Sequence, residues 1–249
     1  MKFNRASGVL LHPTSLPGAY GIGEIGPEAY RFADFLHATG QRLWQILPLG
    51  PTGYGDSPYQ SPSTFAGNPL WISFDLLVKD KLLTKAQLKN FPVFPAEKVD
   101  FGAVIPARMA VLQQVCATFA DRASPALQEQ FAAFCARHAG WLDEYALFTA
   151  LKDAHNGVPW PQWEPALARR EPAALQAART QYAAEIRNVQ IIQFLFADHW
   201  QRLRTYCAKL GIQFIGDIPI FVAHDSADVW ANPHLFYLRP DGQPLFFDA

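Results

Sequence analysis

The sequence carries almost no net charge. Its 21 lysine and arginine residues are balanced by 22 aspartate and glutamate residues, which leaves a formal charge of −1 over 249 residues. Proteins that bind nucleic acid or anionic membranes through their overall charge carry a marked basic excess. We therefore expect no nucleic acid and no membrane as the main partner.

Cysteine and long apolar runs are also scarce. The three cysteines, Cys116, Cys135 and Cys207, show no C-x-x-C or other metal-ligand spacing. This pattern predicts reduced core residues of a cytoplasmic protein. No signal-like segment follows residues 1–5 and no apolar run approaches about 18 residues, so we expect neither secretion nor a membrane span.

Signatures of metal sites and of common catalytic triads are missing. No His/Cys/Asp cluster has metal spacing, so no metal is expected, and no Ser-His-Asp elbow is present. Residues 21–26 (GIGEIG) match the G-x-G-x-x-G pattern of dinucleotide sites, but Gly21 lies ten residues beyond Leu11 instead of at the end of a strand. We interpret these glycines as a turn into a helix that begins at Pro27.

The apolar pattern at both ends of the chain is typical of βα units. Residues 7–11 and 41–47 predict two strands with a helix between them. Near the other end, residues 186–210 predict a long helix whose inward face is interrupted only by Gln193, followed by a strand over residues 212–222. Repeated βα units predict an α/β fold with a parallel sheet or barrel.

Between these units, the chain is rich in alanine and glutamine and poor in β-branched runs. It predicts a helical subdomain inserted between barrel strands, with helices near residues 106–120, 125–137 and 141–153. Aromatic residues at helical spacing are expected in its core: Phe131, Phe134, Trp141, Tyr145 and Phe148. Trp160 and Trp163 lie in a proline-rich loop and are better candidates for a surface contact.

Residues 50–70 form a predicted loop, rich in glycine, proline and serine, directly after the second strand. In parallel α/β folds, loops at the carboxyl ends of strands build the sites. This loop carries Tyr54 and Tyr59 together with Ser57 and several carboxylate and amide groups. Aromatic rings stack on sugar C–H faces while polar groups bind hydroxyls, so the loop suits a polyhydroxylated ligand. The alternative is an ordinary long loop that packs both tyrosines inward.

Asp217 is a further site candidate, because it ends an otherwise apolar strand where its desolvation is costly without a partner. The alternative is a turn or helix-capping aspartate. His12, at the end of the first strand, and His224 are candidate ligand contacts with no partner visible in the sequence. Residues 225–230 predict a capped turn into a short helix.

Seven sequence blocks follow one another along the chain. The earlier blocks are SGVLLHPTSLP, LPLGPTG, DSPYQS and FAGNP, at residues 7–17, 47–53, 56–61 and 65–69. The later blocks are WLDEYALF, GDIPIFVA and DSADVWANP, at residues 141–148, 216–223 and 225–233. In sequence and in order they resemble the amylomaltases, the 4-α-glucanotransferases of glycoside hydrolase family 77. Several long blocks in register make the resemblance highly specific.

The resemblance implies a fold, a reaction and a set of ligands. The fold is a (β/α)8 TIM barrel of the α-amylase clan with an inserted helical subdomain. The reaction cleaves α-1,4-glucans, such as maltose and maltooligosaccharides, and transfers the glucanosyl unit to the 4-hydroxyl of an acceptor sugar by a retaining double displacement. No cofactor is expected. By matching position, Tyr59 would stack on the sugar at the cleavage subsite and Asp217 would hydrogen-bond that sugar. Ser57 would lie along the donor subsites, and Tyr54 would belong to a more remote glucan-binding surface.

The chain departs from the family's pattern in its catalytic carboxylates. The nucleophile, the acid/base and the third aspartate belong to later motifs and are expected beyond Ala249, and only three barrel strands are credible. We therefore expect the N-terminal part of an amylomaltase, inactive alone, with first βα units in residues 1–78, the insertion in 79–185 and a further unit in 186–249. The alternative is a non-catalytic α-glucan-binding module or subunit that stacks sugars on Tyr54, Tyr59 and Trp160.

Overall fold

The computed structural model describes residues 5–246, which contain helices and a small parallel sheet. The strands are β1 (Gly8–Leu10), β2 (Leu43–Gln45) and β3 (Gln213–Ile215). The helices are α1 (Pro27–Ala38), α2 (Phe74–Lys79), α3 (Phe101–Arg122), α4 (Pro125–Ala154), α5 (Pro165–Ala168), α6 (Pro172–Gln181), α7 (Ala183–Lys209) and α8 (Ala227–Ala231). Short 3-10 helices occur at Pro13–Ser15, Tyr54–Asp56, Pro69–Trp71, Trp160–Gln162 and Pro233–Leu235.

The described residues form two compact units, each drawn from three segments. Unit 1 contains residues 5–49, Gly67–Glu129 and Ile192–Ile218, and unit 2 contains Gly50–Ala66, Gln130–Ile191 and residues 219–246. This grouping follows packing instead of chain order. The division into three consecutive segments remains a prediction.

The sheet of unit 1 has the order β1-β2-β3, and both neighbouring pairs are parallel. Gly8 pairs with Leu43, which pairs in turn with Gln213. Strand β1 approaches β2 so closely at Gly8 that a Cβ there would lie 2.3 Å from the carbonyl oxygen of Leu43. The predicted α/β fold with a parallel sheet is confirmed.

Strand β3 is shorter than the sequence predicted. It ends at Ile215, whereas the apolar pattern predicted an extended strand over residues 212–222. Gly216 offers no side chain to pack and Pro219 has no N–H to donate to a ladder, so pairing stops before them. The residues beyond Ile215 are therefore a loop at the carboxyl end of the strand.

Strand β2 places Trp44, which is fully buried, at the centre of this sheet. Its ring meets Phe32 of α1 edge to face at 4.8 Å and lies 5.1 Å from Phe214 of β3. Its indole N–H donates to the carbonyl oxygen of Leu11 at 2.8 Å. Helix α1, whose apolar side faces this core, matches the predicted helix, and Gly40 takes the left-handed conformation just after it (φ 73°).

Helix α3 begins earlier than the sequence predicted. Asp100 caps it, since its Oδ1 accepts the N–H of Ala103 at 3.2 Å. Pro106 therefore lies inside the helix, not in its first turn. The predicted helix near residues 106–120 is therefore present, but it begins earlier, at Phe101.

By length and composition alone, α3 is also apolar enough to cross a membrane, which the sequence reasoning did not anticipate. Core helices pass the same test. The helix buries Val104, Val111, Leu112, Val115 and Phe119 together with an arginine. Its apolar side thus contributes to the core of unit 1.

The buried arginine of α3, Arg108, forms an ion pair with Glu24 in which Nη2 lies 2.8 Å from Oε1. The guanidinium also donates to the carbonyl oxygen of Ile72 at 2.7 Å and lies 4.2 Å from the centre of the Phe74 ring. Burial raises the pKa of Glu24, and the positive charge of Arg108 opposes that rise. Because an unpaired buried charge is strongly destabilising, this pair fixes the turn before α1 against α3.

The polar interruption on the inward face of α7 has a partner in the backbone. Gln193 accepts the N–H of Gly67 at 2.8 Å through Oε1 and donates to the carbonyl oxygen of Gly67 at 2.9 Å through Nε2. Gly67 lies so close to the helix that a Cβ would stand 2.0 Å from the ring of Phe196. Gln193 thus holds Gly67, the residue of the 50–70 loop at which the chain enters unit 1 again.

One long helix is present where the sequence predicted two. The segments predicted at residues 125–137 and 141–153 form the continuous helix α4. Gly140 lies between them without breaking the helix, because one glycine weakens a helix by only about 1 kcal/mol and packing can outweigh that. The second half of α4 buries Leu142, Tyr145, Phe148 and Leu151 in the core of unit 2.

Trp160 and Trp163 belong to this core and do not form a surface contact, which corrects the sequence prediction. Their side chains are only 3% and 4% exposed. Both indole N–H groups have backbone partners, since Trp160 donates to His224 at 3.0 Å and Trp163 donates to Val158 at 2.9 Å. A proline-rich loop indicated exposure, but satisfied indoles can be buried wherever a carbonyl is within reach.

We predict that replacing Gln193 with leucine destabilises the protein by about 2–4 kcal/mol, because the N–H and carbonyl of Gly67 remain buried without a partner. Urea unfolding of the Gln193→Leu protein measures this change. Gln190→Leu, on the same helix, is the matched control, since Gln190 bonds the exposed Asp143. It should change stability by less than about 0.5 kcal/mol. An equal loss of unfolding free energy in both variants would contradict a stabilising role for the hydrogen bonds between Gln193 and Gly67.

A second prediction concerns His199 of α7, which is fully buried and accepts the N–H of Ser73 through Nδ1 at 3.1 Å. Burial, with a smaller contribution from Arg202, lowers the pKa of His199 to about 3. The unfolded chain binds a proton near the ordinary pKa of about 6.5, so stability should fall as pH drops from there toward 3.

Between pH 7 and pH 5 this histidine should remove about 2 kcal/mol of stability. In His199→Asn the amide oxygen can still accept from Ser73, and nothing titrates. Urea unfolding at both pH values should therefore show a smaller acid loss in the variant. Identical losses would show that His199 does not cause the acid sensitivity.

Candidate functional site

The three strands of unit 1 are followed by residues that emerge at one edge of the sheet, because the strands are parallel. His12 follows β1, Pro48 follows β2 and Asp217 follows β3. Asp217 is half-buried and lies two residues beyond the last residue of its strand. The structure therefore places two predicted site residues, His12 and Asp217, at the carboxyl edge of one sheet.

His12 is held in a defined orientation. Its Nδ1 accepts from the Thr14 hydroxyl at 2.6 Å and from the Thr14 N–H at 3.4 Å. The ring meets Trp71 edge to face at 4.7 Å. Burial lowers the pKa of His12, with the Pro48 carbonyl opposing the shift. Burial thus favours the neutral form of the imidazole at this edge of the sheet.

The first part of the loop, Gly50–Ala66, belongs to unit 2 and is held by its own serines. Ser61 donates its hydroxyl to the carbonyl oxygen of Ser63 at 2.6 Å. Ser63 accepts the N–H groups of Phe65 and Ala66 through its own hydroxyl, both at 3.2 Å. These short-range bonds order residues 61–66, which lie in neither a helix nor a strand.

Tyr59 does not pack inward. Its side chain is 44% exposed, and its N–H donates to the hydroxyl of Ser57 at 3.3 Å. Gly55 and Asp56 precede them in the left-handed conformation, with φ of 68° and 55°. The side chain of Tyr54 lies outside the part of the chain that the structure describes, so its expected role in glucan binding stays a prediction. Ser57 and Tyr59 thus share one short turn of unit 2, while Asp217 belongs to unit 1.

The segment after β3 joins the same loop in unit 2. Ala223 and Ala227 donate their N–H groups to the carbonyl oxygens of Ser61 and Pro62 at 3.1 and 2.9 Å. Asp228 accepts the N–H of Thr64 at 2.9 Å through Oδ2. Sequence blocks more than 150 residues apart are therefore neighbours in this unit.

His224 and Asp225 have structural partners. Nε2 of His224 donates to the carbonyl oxygen of Gly242 at 2.7 Å. Asp225 pairs with Lys152 and accepts the N–H of Trp160 at 3.2 Å. The predicted capped turn is confirmed, since the hydroxyl of the next residue, Ser226, accepts from the third residue of α8. A ligand contact by His224 remains untested.

A cluster of Asp80, Asp198 and His199 is the best geometric match to a metal site in the part of the chain that is described. Its two carboxylates already share a cation, because Arg202 lies 2.8 Å from Asp80 and 2.7 Å from Asp198. The imidazole also uses Nδ1 to accept a backbone N–H. The cluster is therefore an ion-pair network of the core.

Two aromatic residues that the sequence reasoning did not select for binding lie against each other in unit 2. Phe65 is 61% exposed, and its ring centre lies 6.1 Å from that of Trp141, with the planes 30° apart. Trp141 was expected in the core and is half-buried. The available signal in the sequence was a phenylalanine within a loop rich in glycine, proline and serine.

Comparison with known proteins connects this arrangement to a family. The family model described as 4-alpha-glucanotransferase matches residues 11–243. The chain belongs to the 4-alpha-glucanotransferase family. It is 48% identical over 244 residues to the 4-alpha-glucanotransferase of Thermus thermophilus and 46% identical over 237 residues to that of Synechocystis sp..

The fold of this chain is similar to a solved structure, the amylomaltase from Streptococcus agalactiae in complex with acarbose. The TM-score is 0.92 at 40% identity, over 97% of this chain and 49% of that one. The two sequence relatives are matched over 98% and 95% of this chain, but over only 48% and 47% of their own length. The chain thus spans about half the length of the curated relatives it matches.

Proposed function

We propose that this chain supplies the donor-glucan-binding part of a 4-α-glucanotransferase site. The family match over residues 11–243 carries the proposal. The exposed ring of Tyr59 on an ordered turn supports it, because such a ring offers a flat apolar face to a sugar. The alternative of a non-catalytic module has no support among the relatives, which are named as enzymes.

The three parallel strands are proposed to be part of a (β/α)8 barrel. Strands adjacent in the sheet follow one another along the chain, as they do around such a barrel. Barrel enzymes build their sites from loops at the carboxyl ends of the strands. The positions of Asp217 and of the residues 50–70 loop after β3 and β2 fit that rule.

We propose that Tyr59 stacks on a sugar ring at the cleavage subsite and that Asp217 accepts hydrogen bonds from sugar hydroxyls of the glucan. Ser57 lies along the donor subsites, and Tyr54 belongs to a separate glucan-binding surface. These contacts bind and orient the donor but cannot break a glycosidic bond. A retaining transfer needs a nucleophilic carboxylate and a carboxylic acid about 5–5.5 Å apart across that bond.

No catalytic role is assigned to a carboxylate of this chain. In unit 2, Glu144 pairs with two arginines, Asp225 pairs with Lys152, and Asp228 accepts a backbone N–H. In unit 1, Glu24 is held by Arg108. We propose that the nucleophile and the acid/base lie in the part of the relatives that this chain does not match.

The proposed ligands are α-1,4-glucans, maltose and maltooligosaccharides. The Streptococcus agalactiae relative was solved with acarbose. Transfer is favoured over hydrolysis when an acceptor sugar occupies the site and excludes water. The three cysteines are free thiols, which fits a reducing compartment, and we propose a cytoplasmic location.

We predict that the purified 249-residue chain releases no glucose from maltotriose. Adding the unmatched half of the Thermus thermophilus relative as a separate polypeptide should restore transfer, since the mixture then holds both parts of the site. A glucose-release assay on each component and on the mixture measures this. Disproportionation by the chain alone would mean that it contains a carboxylate pair assigned here to structure.

Separate replacement of Tyr59 and Asp217 distinguishes an enzyme from a binding module. In the restored mixture, Asp217→Asn should lower kcat by about 10- to 100-fold, because a charged hydrogen bond that strengthens in the transition state is lost. Tyr59→Ala should lower kcat/KM by about two- to tenfold through lost stacking. Tyr237→Ala, another exposed tyrosine, is the control. Losses of glucan affinity alone, with kcat unchanged, would support the module.

A further inference from the structure

An ion pair in unit 2 joins the segment after β3 to the end of α4. Lys152, in the last turn of α4, pairs through Nζ with Oδ2 of Asp225. The ammonium group also donates to the carbonyl oxygen of Val158 at 3.1 Å. The other carboxylate oxygen, Oδ1, accepts the N–H of Trp160 at 3.2 Å. Lys152 thus connects the helix, the loop that follows it and the segment after β3.

The pair is largely shielded from water, since the side chains of Lys152 and Asp225 are 22% and 30% exposed. Fully exposed ion pairs contribute little, because solvent screens them and side-chain entropy opposes them. Here each charged group has a second hydrogen-bond partner, which fixes both side chains in one geometry. A carboxylate that loses its cation in a partly desolvated place is destabilising. We therefore expect the backbone around Asp225 to shift when Lys152 loses its charge.

The same segment binds the loop of residues 50–66, which also belongs to unit 2. The N–H groups of Ala223 and Ala227 donate to the carbonyl oxygens of Ser61 and Pro62 at 3.1 and 2.9 Å. These two alanines flank Asp225, two residues away on either side along the chain. A displacement of Asp225 therefore displaces both donors to the loop.

The acceptors of these bonds directly follow the turn that carries Ser57 and Tyr59. Within this turn, the N–H of Gln60 donates to the carbonyl oxygen of Ser57 at 3.3 Å. The next residue, Ser61, is buried. The turn thus ends at a buried residue whose carbonyl oxygen is held by the segment after β3. Small displacements of a binding group weaken its contacts with a ligand, because those contacts require a defined geometry.

We propose that Lys152 acts through Asp225 as a positioning residue for the turn at Ser57 and Tyr59. Its effect on glucan binding rests on the proposed function, whereas its coupling to the turn rests on the ion pair and the hydrogen bonds alone. The charge of Lys152 fixes Asp225, and the backbone around Asp225 fixes Ser61. Lys152 therefore influences the position of the Tyr59 ring without touching the glucan.

Four variants of the full chain test this inference. Lys152→Met keeps an unbranched side chain and removes its charge, and Asp225→Asn keeps Oδ1 as the acceptor for Trp160. These two are the pair-breaking variants, and the second serves if the first does not fold. Lys152→Arg keeps a cation at the same position. Arg169→Met is the matched control, because it removes the charge of an exposed residue of unit 2.

Amide spectra of the ligand-free proteins test the coupling first. In the pair-breaking variants, the amide shifts of Tyr59 and Ser61 should change. The N–H groups of Ala223 and Ala227 should exchange with solvent about tenfold faster, because their hydrogen bonds to the loop open more often. Combining both substitutions should add little, since each already breaks the same pair. The Lys152→Arg protein and the control should match the unsubstituted chain.

Calorimetry with maltotriose on the same proteins tests the consequence for binding. The affinity should fall about two- to tenfold in the pair-breaking variants and stay unchanged in the other two. The inference is overturned if the shifts of Tyr59 and Ser61 stay unchanged in both pair-breaking variants, or if maltotriose binds equally tightly with and without the pair. It is also overturned if the core amides of α4 gain as much exchange as Ala223 and Ala227, because the pair then stabilises unit 2 as a whole.

Failure of the proposed function has a separate signature. None of the proteins, including the unsubstituted chain, then binds maltotriose, while the shifts of Tyr59 and Ser61 still follow the charge of Lys152.

Discussion

The loop of residues 50–70 depends on one pair of hydrogen bonds between a side-chain amide and the backbone. Two short 3-10 helices are the secondary structure within this loop, and its conformational entropy opposes any fixed site on it. Gln193 satisfies both backbone groups of Gly67 in a place where water has no access. A buried backbone group without a hydrogen bond destabilises the folded state. The pairing with Gln193 therefore fixes the position of Gly67, near the end of the loop.

The rest of the loop is held by short-range polar contacts, and two of its aromatic rings, those of Tyr59 and Phe65, are exposed. Serine hydroxyls and the carboxylate of Asp228 bind backbone N–H groups, so the loop does not need to bury Tyr59 or Phe65 to be ordered. Exposed rings on an ordered backbone lose little entropy when a ligand arrives. This is the physical basis for assigning glucan binding to this part of the chain.

The sequence predicted local features well. The helices α1 and α7, the glycines that end them and the capped turn before α8 all depend on residues within a few positions of one another. What it could not predict are pairings between distant residues, such as Gln193 with Gly67, Arg108 with Glu24 and Asp228 with Thr64. Each of these polar residues could equally have faced solvent. The wrong expectation for Trp160 has the same origin, because its burial depends on a carbonyl 64 residues away.

The central claim is that the turn at Ser57 and Tyr59 and the strand end at Asp217 bind the same class of sugar. Amide chemical-shift mapping of the 249-residue chain during titration with maltotriose tests it directly. The account predicts that the amide shifts of residues 57–59 and of residue 217 both change with maltotriose concentration and reach saturation. Shifts confined to other parts of the chain, with these positions unchanged at saturation, would contradict it.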